Sequence, residues 1–145
     1  MKLFAAFVLV AGSFCVSAAA QAQSARSEFE KRGLLGTHTI DCSKPPSENN
    51  GYIIYRAFNE GQVQRDTMVG PTTRTFASIA EAVSAQSPNE LTVTGTVDGK
   101  KLVYTIRIDK TKHRIWNWTE DGVKSVENGI WTEHKFEMPW LDKCG

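Results

Sequence analysis

Hydrophobic and polar residues alternate along most of the chain after residue 36, and this period of two is typical of strands with one buried face. Short turn sequences separate the alternating runs. Two of them, Asp98-Gly99 and Asp121-Gly122, favour tight hairpins between antiparallel strands. The pattern predicts about eight strands, which we place at 37–43, 52–58, 62–69, 72–79, 89–98, 101–109, 112–120 and 123–132.

The segment ahead of these strands is charged and mixed in character. Phe29, Leu34 and Leu35 are spaced to face inward from a short helix, and Gly33 or Gly36 is suited to end it. This predicts a short N-terminal helix or, as the alternative, a loose arm.

One segment carries two patterns. Phe76, Ile79, Ala80 and Val83 are spaced as on one face of a helix, with alanine and glutamate between them. We predict a strand up to Ile79, followed by a bulge or a single helical turn. A helix over 77–86 is the alternative.

The predicted connections are mostly short, and none has the spacing of a helical crossover between parallel strands. The predicted fold class is therefore all-β, an antiparallel up-and-down meander with a short N-terminal helix. Closing such a meander into a barrel removes its exposed edges.

The N-terminus has the features of a signal peptide. An apolar run at 3–16 follows Lys2, and small residues lead to Ala20-Gln21-Ala22, a pattern typical of cleavage after export. The run is too short to span a membrane. We predict a signal peptide at 1–22 and a single domain over 23–145, soluble, without a membrane span, and periplasmic or secreted.

Charge excludes one class of partner. The 17 Lys and Arg residues and the 16 Asp and Glu residues are interspersed, and they become equal in number once Lys2 is removed. A neutral chain with mixed signs lacks the basic surface that nucleic acids and anionic membranes require. We expect no nucleic-acid partner.

Of three cysteines, Cys15 lies in the predicted signal peptide, which leaves Cys42 and Cys144. Two cysteines in an exported domain predict a disulfide, and a zinc site is the alternative. Residues 133–143 separate the last predicted strand from Cys144, and a chain of this length reaches about 36 Å when extended. We expect this apolar tail to run back along the barrel, cover an opening or seam, and be pinned at Cys42.

A family resemblance follows from these features. A short helix or turn before a first strand that opens with Gly-x-Trp, followed by an eight-strand meander, is the pattern of the lipocalins and wider calycins, and here Gly36-Thr37-His38 occupies that place. Asp41-Cys42 and the terminal Trp140-Leu141-Asp142-Lys143-Cys144 resemble small exported bacterial proteins of lipocalin-like type. The resemblance implies a lipocalin-like barrel that holds a small apolar ligand, although some relatives inhibit proteases or stabilise envelopes. Fold alone does not fix the function.

The sequence offers little for catalysis. His38, His113 and His134 lie on separate predicted segments without paired spacing, and neither a Gly-x-Ser-x-Gly motif nor a glycine-rich loop opening a helix occurs. His38 is expected to be a core or rim residue with a hydrogen-bond partner. We predict no enzymatic activity, no cofactor and no metal site.

Two predicted hairpins define inward faces. A two-residue loop at Asp98-Gly99 pairs Val93 with Tyr104 and Leu91 with Ile106, giving an apolar inward face.

At Asn59-Glu60-Gly61, a two-residue loop would place Tyr52, Arg56 and Arg65 on the same inward face, where two guanidinium groups bind a carboxylate or phosphate. A three-residue loop with a bulge at Gly61 would instead put the two arginines on opposite faces. Arginines that reach solvent or pair with acidic residues are the further alternative.

All four tryptophans lie within 116–140, and Trp116 and Trp118 are predicted to share one face of a strand. Three alternative roles follow for them: they line a ligand-binding site, form a surface for a protein partner, or pack under the C-terminal tail. The candidate ligand-binding residues are therefore Tyr52, Arg56, Arg65, Tyr104, Trp116 and Trp118.

The leading hypothesis is a barrel that binds a small amphipathic, apolar or anionic molecule in its interior. The alternative is a protein-interaction or inhibitor module with a packed, ligand-free barrel. A cavity lined by Arg56 and Arg65 would favour the first hypothesis. A packed interior with an exposed Trp116 and Trp118 surface would favour a protein partner.

Overall fold

A computed structural model describes residues 23–145, and the predicted signal peptide at 1–22, with Cys15, lies outside the described residues. One helix, α1 (Ala25–Lys31), lies near the start of this part of the chain. The strands are β1 (Gln23–Ser24), β2 (Gly36–Thr39), β3 (Tyr52–Phe58), β4 (Gln62–Met68), β5 (Arg74–Ser87), β6 (Glu90–Val97), β7 (Lys100–Asp109), β8 (Lys112–Glu120), β9 (Val123–Glu127), β10 (Ile130–Trp131) and β11 (Leu141–Cys144).

Eight strands close an antiparallel barrel. Strands β2 to β8 pair in chain order, and β11 lies between β8 and β2 to complete the circle. The predicted all-β meander, its closure into a barrel and its short N-terminal helix are confirmed. Strands β9 and β10 extend the sheet from the far end of β8, and β1 pairs with β5.

The strand that completes the barrel differs from the predicted one. The expected strand at 123–132 is interrupted at Asn128-Gly129, where both residues have positive φ angles of 52° and 77°. It folds instead into the β9–β10 hairpin. The eighth barrel strand is β11, at the end of the segment that we expected to run back along the barrel as a covering tail.

Local capping and packing explain the helix. The Ser24 side chain accepts the Ser27 N–H, and Gly33, at φ +67°, follows the last turn. Phe29 packs edge-on against Tyr55 with 5.1 Å between ring centroids, and both are fully buried. The helix therefore closes one end of the barrel.

The segment in which helical spacing competes with a strand pattern, around 76–83, is a strand throughout. β5 is continuous over Arg74–Ser87, and a register shift against β6 marks a bulge at Glu81. Since a bulge adds one residue, Ala80 and Val83 both face inward although three positions apart, which imitates helical spacing. The expected bulge is confirmed, and the alternative helix over 77–86 is wrong.

The C-terminal tail is held covalently. A disulfide joins Cys42 to Cys144, as predicted. In the segment ahead of β11, the Met138 backbone N–H donates to the Gly129 carbonyl oxygen, and Met138 lines the barrel cavity together with Trp131 of β10.

The core follows the predicted inward faces. Val93 pairs with Tyr104 and Leu91 with Ile106, and all four side chains are buried.

Within residues 23–145, no helix has the length and apolar character needed to cross a bilayer.

Candidate ligand-binding site

A cavity of about 660 Å³ lies in the barrel at the end opposite α1. This volume is within the range of about 300–1,000 Å³ that is usual for small-molecule sites. Its walls are mainly apolar and include Ile53, Phe76, Ile115, Trp118, Val126 and Met138.

A single arginine projects into this apolar interior. Because side chains alternate along β4, Val63, Arg65 and Thr67 face inward while Asp66 faces out. Arg65 lies directly opposite Tyr55 on β3, and only 8% of it is exposed.

The contacts of Arg65 leave its charge unpaired. Its guanidinium carbon lies 5.2 Å from the Phe76 ring centre and 5.1 Å from that of Trp118. Nη1 donates to Thr67 Oγ1 at 3.2 Å, and Nε is buried without a partner. No carboxylate of residues 23–145 lies within ion-pair distance of Arg65, although buried charges are usually paired. The site therefore presents a cation suited to an anionic group.

The prediction that Arg56 shares this interior is wrong. Phe58 pairs with Gln62, so the connection is a three-residue loop with Gly61 at φ +80°. The pairing shifts by one residue, and Arg56 lies on the outer surface with Nη1 2.8 Å from Asp66 Oδ2. The alternative with the two arginines on opposite faces describes the structure.

The two candidate tyrosines also lie apart. Tyr52 shares the outer face with Arg56, and its hydroxyl donates to the Lys44 carbonyl oxygen at 2.5 Å. Tyr104 is buried and stacks on Trp118 with 4.9 Å between ring centroids. Burial raises the pKa of Tyr104, so its hydroxyl stays neutral. Tyr104 therefore supports the cavity wall from behind Trp118, and Tyr52 lies outside it.

The tryptophans do not share a face. A register shift between β7 and β8 marks a bulge beside Trp116, which turns Trp118 inward and Trp116 outward. On the outer surface, Arg107 lies 3.5 Å and Arg114 5.0 Å from the Trp116 ring centre. Only Trp118 of this pair lines the cavity.

The cavity mouth carries charged side chains. Glu120 follows Trp118 on the inward face of β8 and accepts its indole N–H at 2.8 Å. Lys100 and Asp121 also line the mouth, together with Val123, which is 71% exposed.

A buried polar cluster lies between Arg65 and α1. The rings of His38 and His113 meet edge to face, and His113 Nε2 lies 3.4 Å from the Tyr55 hydroxyl. His38 Nε2 lies 2.9 Å from the Leu34 carbonyl oxygen, so the predicted core histidine with a hydrogen-bond partner is confirmed. Sequence spacing gave no sign of the His113 contact, because it depends on β11 joining β2 to β8.

Burial sets the charge of this cluster. It lowers the pKa of His113 to about 3, and repulsion from the Arg65 charge, and from His38 when that ring is protonated, acts in the same direction. Burial also lowers the pKa of His38, against the hydrogen bond to Leu34, which favours the protonated form. Both imidazoles are therefore neutral at pH 7, and Arg65 is the charged group in this part of the interior.

Among the described residues, no group of three or more His, Cys, Asp or Glu side chains is arranged to hold a metal ion. The chemical features of the site are therefore an apolar cavity, an unpaired cation at its inner end and carboxylates at its mouth. Comparisons with protein-family models, with curated proteins and with solved structures found no match.

Proposed function

We propose that this protein is a carrier or receptor that binds a small amphipathic molecule with an anionic group in its barrel. The unpaired guanidinium of Arg65, inside a cavity of about 660 Å³, is the observation that carries the proposal. Apolar walls favour a hydrocarbon or aromatic body, and Arg65 binds the anionic group.

The energetics support an anion rather than a neutral polar group. Guanidinium binds carboxylate or phosphate oxygens through paired, charge-assisted hydrogen bonds. Such bonds contribute about 1.5–3 kcal/mol, which corresponds to about tenfold to a hundredfold in affinity. The aromatic rings of Phe76 and Trp118 hold the guanidinium in place before the ligand arrives.

The Cys42–Cys144 disulfide supports export, because such bonds persist in oxidising compartments. We therefore propose that this lipocalin-like barrel works in the periplasm or outside the cell, and that it binds its ligand without transforming it. The open cavity favours this function over an interaction module with a packed interior.

Isothermal titration calorimetry with octanoate and 1-octanol as ligands tests the proposal. We expect Arg65→Gln to weaken octanoate binding about tenfold or more and to leave 1-octanol binding nearly unchanged. Glutamine keeps polarity at the position but removes the charge.

Arg56→Gln is the matched control, because Arg56 lies on the outer face of the same hairpin. It should leave the octanoate affinity as it is in the wild type. Octanoate binding that is absent, or that is equal in the wild type and Arg65→Gln, would contradict the proposed function.

A further inference from the structure

The mouth of the cavity carries a carboxylate on an inward-facing position. Glu120 is the last residue of β8 and lies opposite Leu102, which is fully buried. Side chains two apart on a strand share a face, so Glu120 points to the same interior as Trp118. Its carboxylate lines the cavity.

This carboxylate has no cationic partner in the described part of the chain. Its hydrogen bond comes from Trp118 Nε1, at 2.8 Å. Asp121, beside it at the mouth, accepts the Lys101 backbone N–H through Oδ1 at 2.8 Å. The mouth therefore presents acidic oxygen atoms that no side-chain cation neutralises through an ion pair.

Trp118 fixes the two opposite charges relative to each other. The Arg65 guanidinium lies 5.1 Å from the indole ring centre, while Glu120 is bonded to the indole nitrogen. The positive charge lies at the buried end and the negative charge at the exposed end. A bound molecule that passes along the indole meets both charges.

The balance of charges around the cavity also favours a ligand that carries both a positive and a negative charge. Two basic residues, Arg65 and Lys100, and two acidic residues, Glu120 and Asp121, line it. Lys100 is exposed on the mouth and forms no ion pair with the described acidic residues. A purely anionic ligand would lie close to the Glu120 carboxylate without compensating it.

We propose that the ligand carries a cationic group, such as an amine, which binds Glu120 while its anionic group binds Arg65. The ligand class is then an amphiphile with an acid at one end and an amine toward the other. This inference rests on the proposed function, because the amine is positioned by the anion held at Arg65.

The test compares three ligands of similar length by isothermal titration at pH 7: octanoate, 8-aminooctanoate and N-acetyl-8-aminooctanoate. We expect the wild type to bind the amine about tenfold more tightly than its acetylated form, which has lost the positive charge. Glu120→Gln should remove this preference while retaining an oxygen that accepts the Trp118 N–H. The ligand comparison in the wild type needs no variant, so it decides the question even if Glu120→Gln folds poorly.

Glu60→Gln is the matched control, because Glu60 is exposed in the β3–β4 loop at the opposite end of the barrel. It should leave the preference for the amine unchanged. Equal wild-type affinities for the amine and its acetylated form, or a preference that persists in Glu120→Gln, would overturn the inference. If octanoate still binds through Arg65 in that case, the proposed function survives without it. If octanoate does not bind through Arg65, both proposals fail.

Discussion

His38 and His113 lie edge to face inside the barrel, with their ring centroids 4.5 Å apart. They belong to β2 and β8, which do not pair with each other but are joined through β11. Each ring has a buried Nδ1 without a partner among the described residues. A proton on His113 would place a second charge near Arg65, and a proton on His38 would place one near Lys143, in a poorly solvated interior.

The free energy of unfolding should therefore depend on pH below neutrality. Folded His113 has a pKa of about 3, against an ordinary value of 6.5. Between these values the unfolded chain binds the proton and the folded protein does not, so stability falls as pH falls from 6.5 toward 3. We expect a loss of about 1.4 kcal/mol per pH unit for a histidine that stays neutral, and no loss from this source above pH 6.5. Urea unfolding at several pH values measures the slope.

His113→Phe should reduce this slope, because phenylalanine keeps an aromatic ring beside His38 and does not titrate. His134→Gln is the control, since it removes an exposed histidine that lies outside this buried cluster. The explanation fails if His113→Phe and the wild type lose stability equally between pH 6.5 and pH 4.

The fold was largely predictable because its signals are local. Alternation and turn residues specify strands one at a time, and the boundaries of β3 and β8 agree with those expected. The disulfide followed from cysteine count, and barrel closure followed from short connections between antiparallel strands.

Details of the site were less predictable, because one extra residue in a loop or strand turns the following side chains to the opposite face of the sheet. A loop one residue longer moved Arg56 outside, and a bulge beside Trp116 separated it from Trp118. Strand β11 was missed for a different reason. Its pairing with β2 and β8 depends on barrel closure, which leaves no pattern in a four-residue segment.

Gly95 is a second position where a single residue controls the sheet. It lies opposite Ala80, next to the bulge in β5, and an added Cβ would lie 1.9 Å from the Ile79 carbonyl oxygen. Gly95→Ala must therefore push β5 and β6 apart. We expect it to lower the free energy of unfolding by about 3 kcal/mol or more, measured by urea denaturation.

Gly99→Ala is the comparison, because Gly99 has a positive φ of 75°, unlike Gly95, but nothing lies within 4 Å of a Cβ added to it. Its cost should be about 1 kcal/mol, from backbone strain alone. Similar losses for the two variants would argue against close strand contact at Gly95.

Arg114 holds the tail against the outer face of β8. Its guanidinium carbon lies 4.6 Å from the Trp140 ring centre, and Nη1 lies 2.5 Å from Glu137 Oε1. Arg114→Gln removes both charged contacts. We expect a loss of about 1–2 kcal/mol and faster amide hydrogen exchange over 131–140.

Arg107→Gln is the control, because Arg114 also lies 5.0 Å from the Trp116 ring centre and its loss could act through that ring instead of through the tail. Arg107 stacks on the same ring at 3.5 Å but pairs with Glu90 on β6 instead of the tail. It should leave exchange over 131–140 slow. Equal acceleration in the two variants would mean that Arg114 has no specific role in holding the tail.

The Cys42–Cys144 disulfide should be the strongest single restraint on barrel closure. β11 forms three residue pairs with β2 and two with β8, and the disulfide links residues 102 positions apart. The chain-entropy model assigns about 4–5 kcal/mol to a loop of this length. Reduction should therefore lower the melting temperature by about 10–30 °C. Calorimetry with and without a dithiol reductant measures the shift, and the Cys42→Ser, Cys144→Ser double variant should melt at the lower temperature in either condition. An unchanged melting curve would mean that strand pairing alone closes the barrel.

Reduction should also accelerate amide hydrogen exchange in β11 before it affects β6 and β7, because β11 lies between β2 and β8 and the disulfide holds its last residue to the barrel.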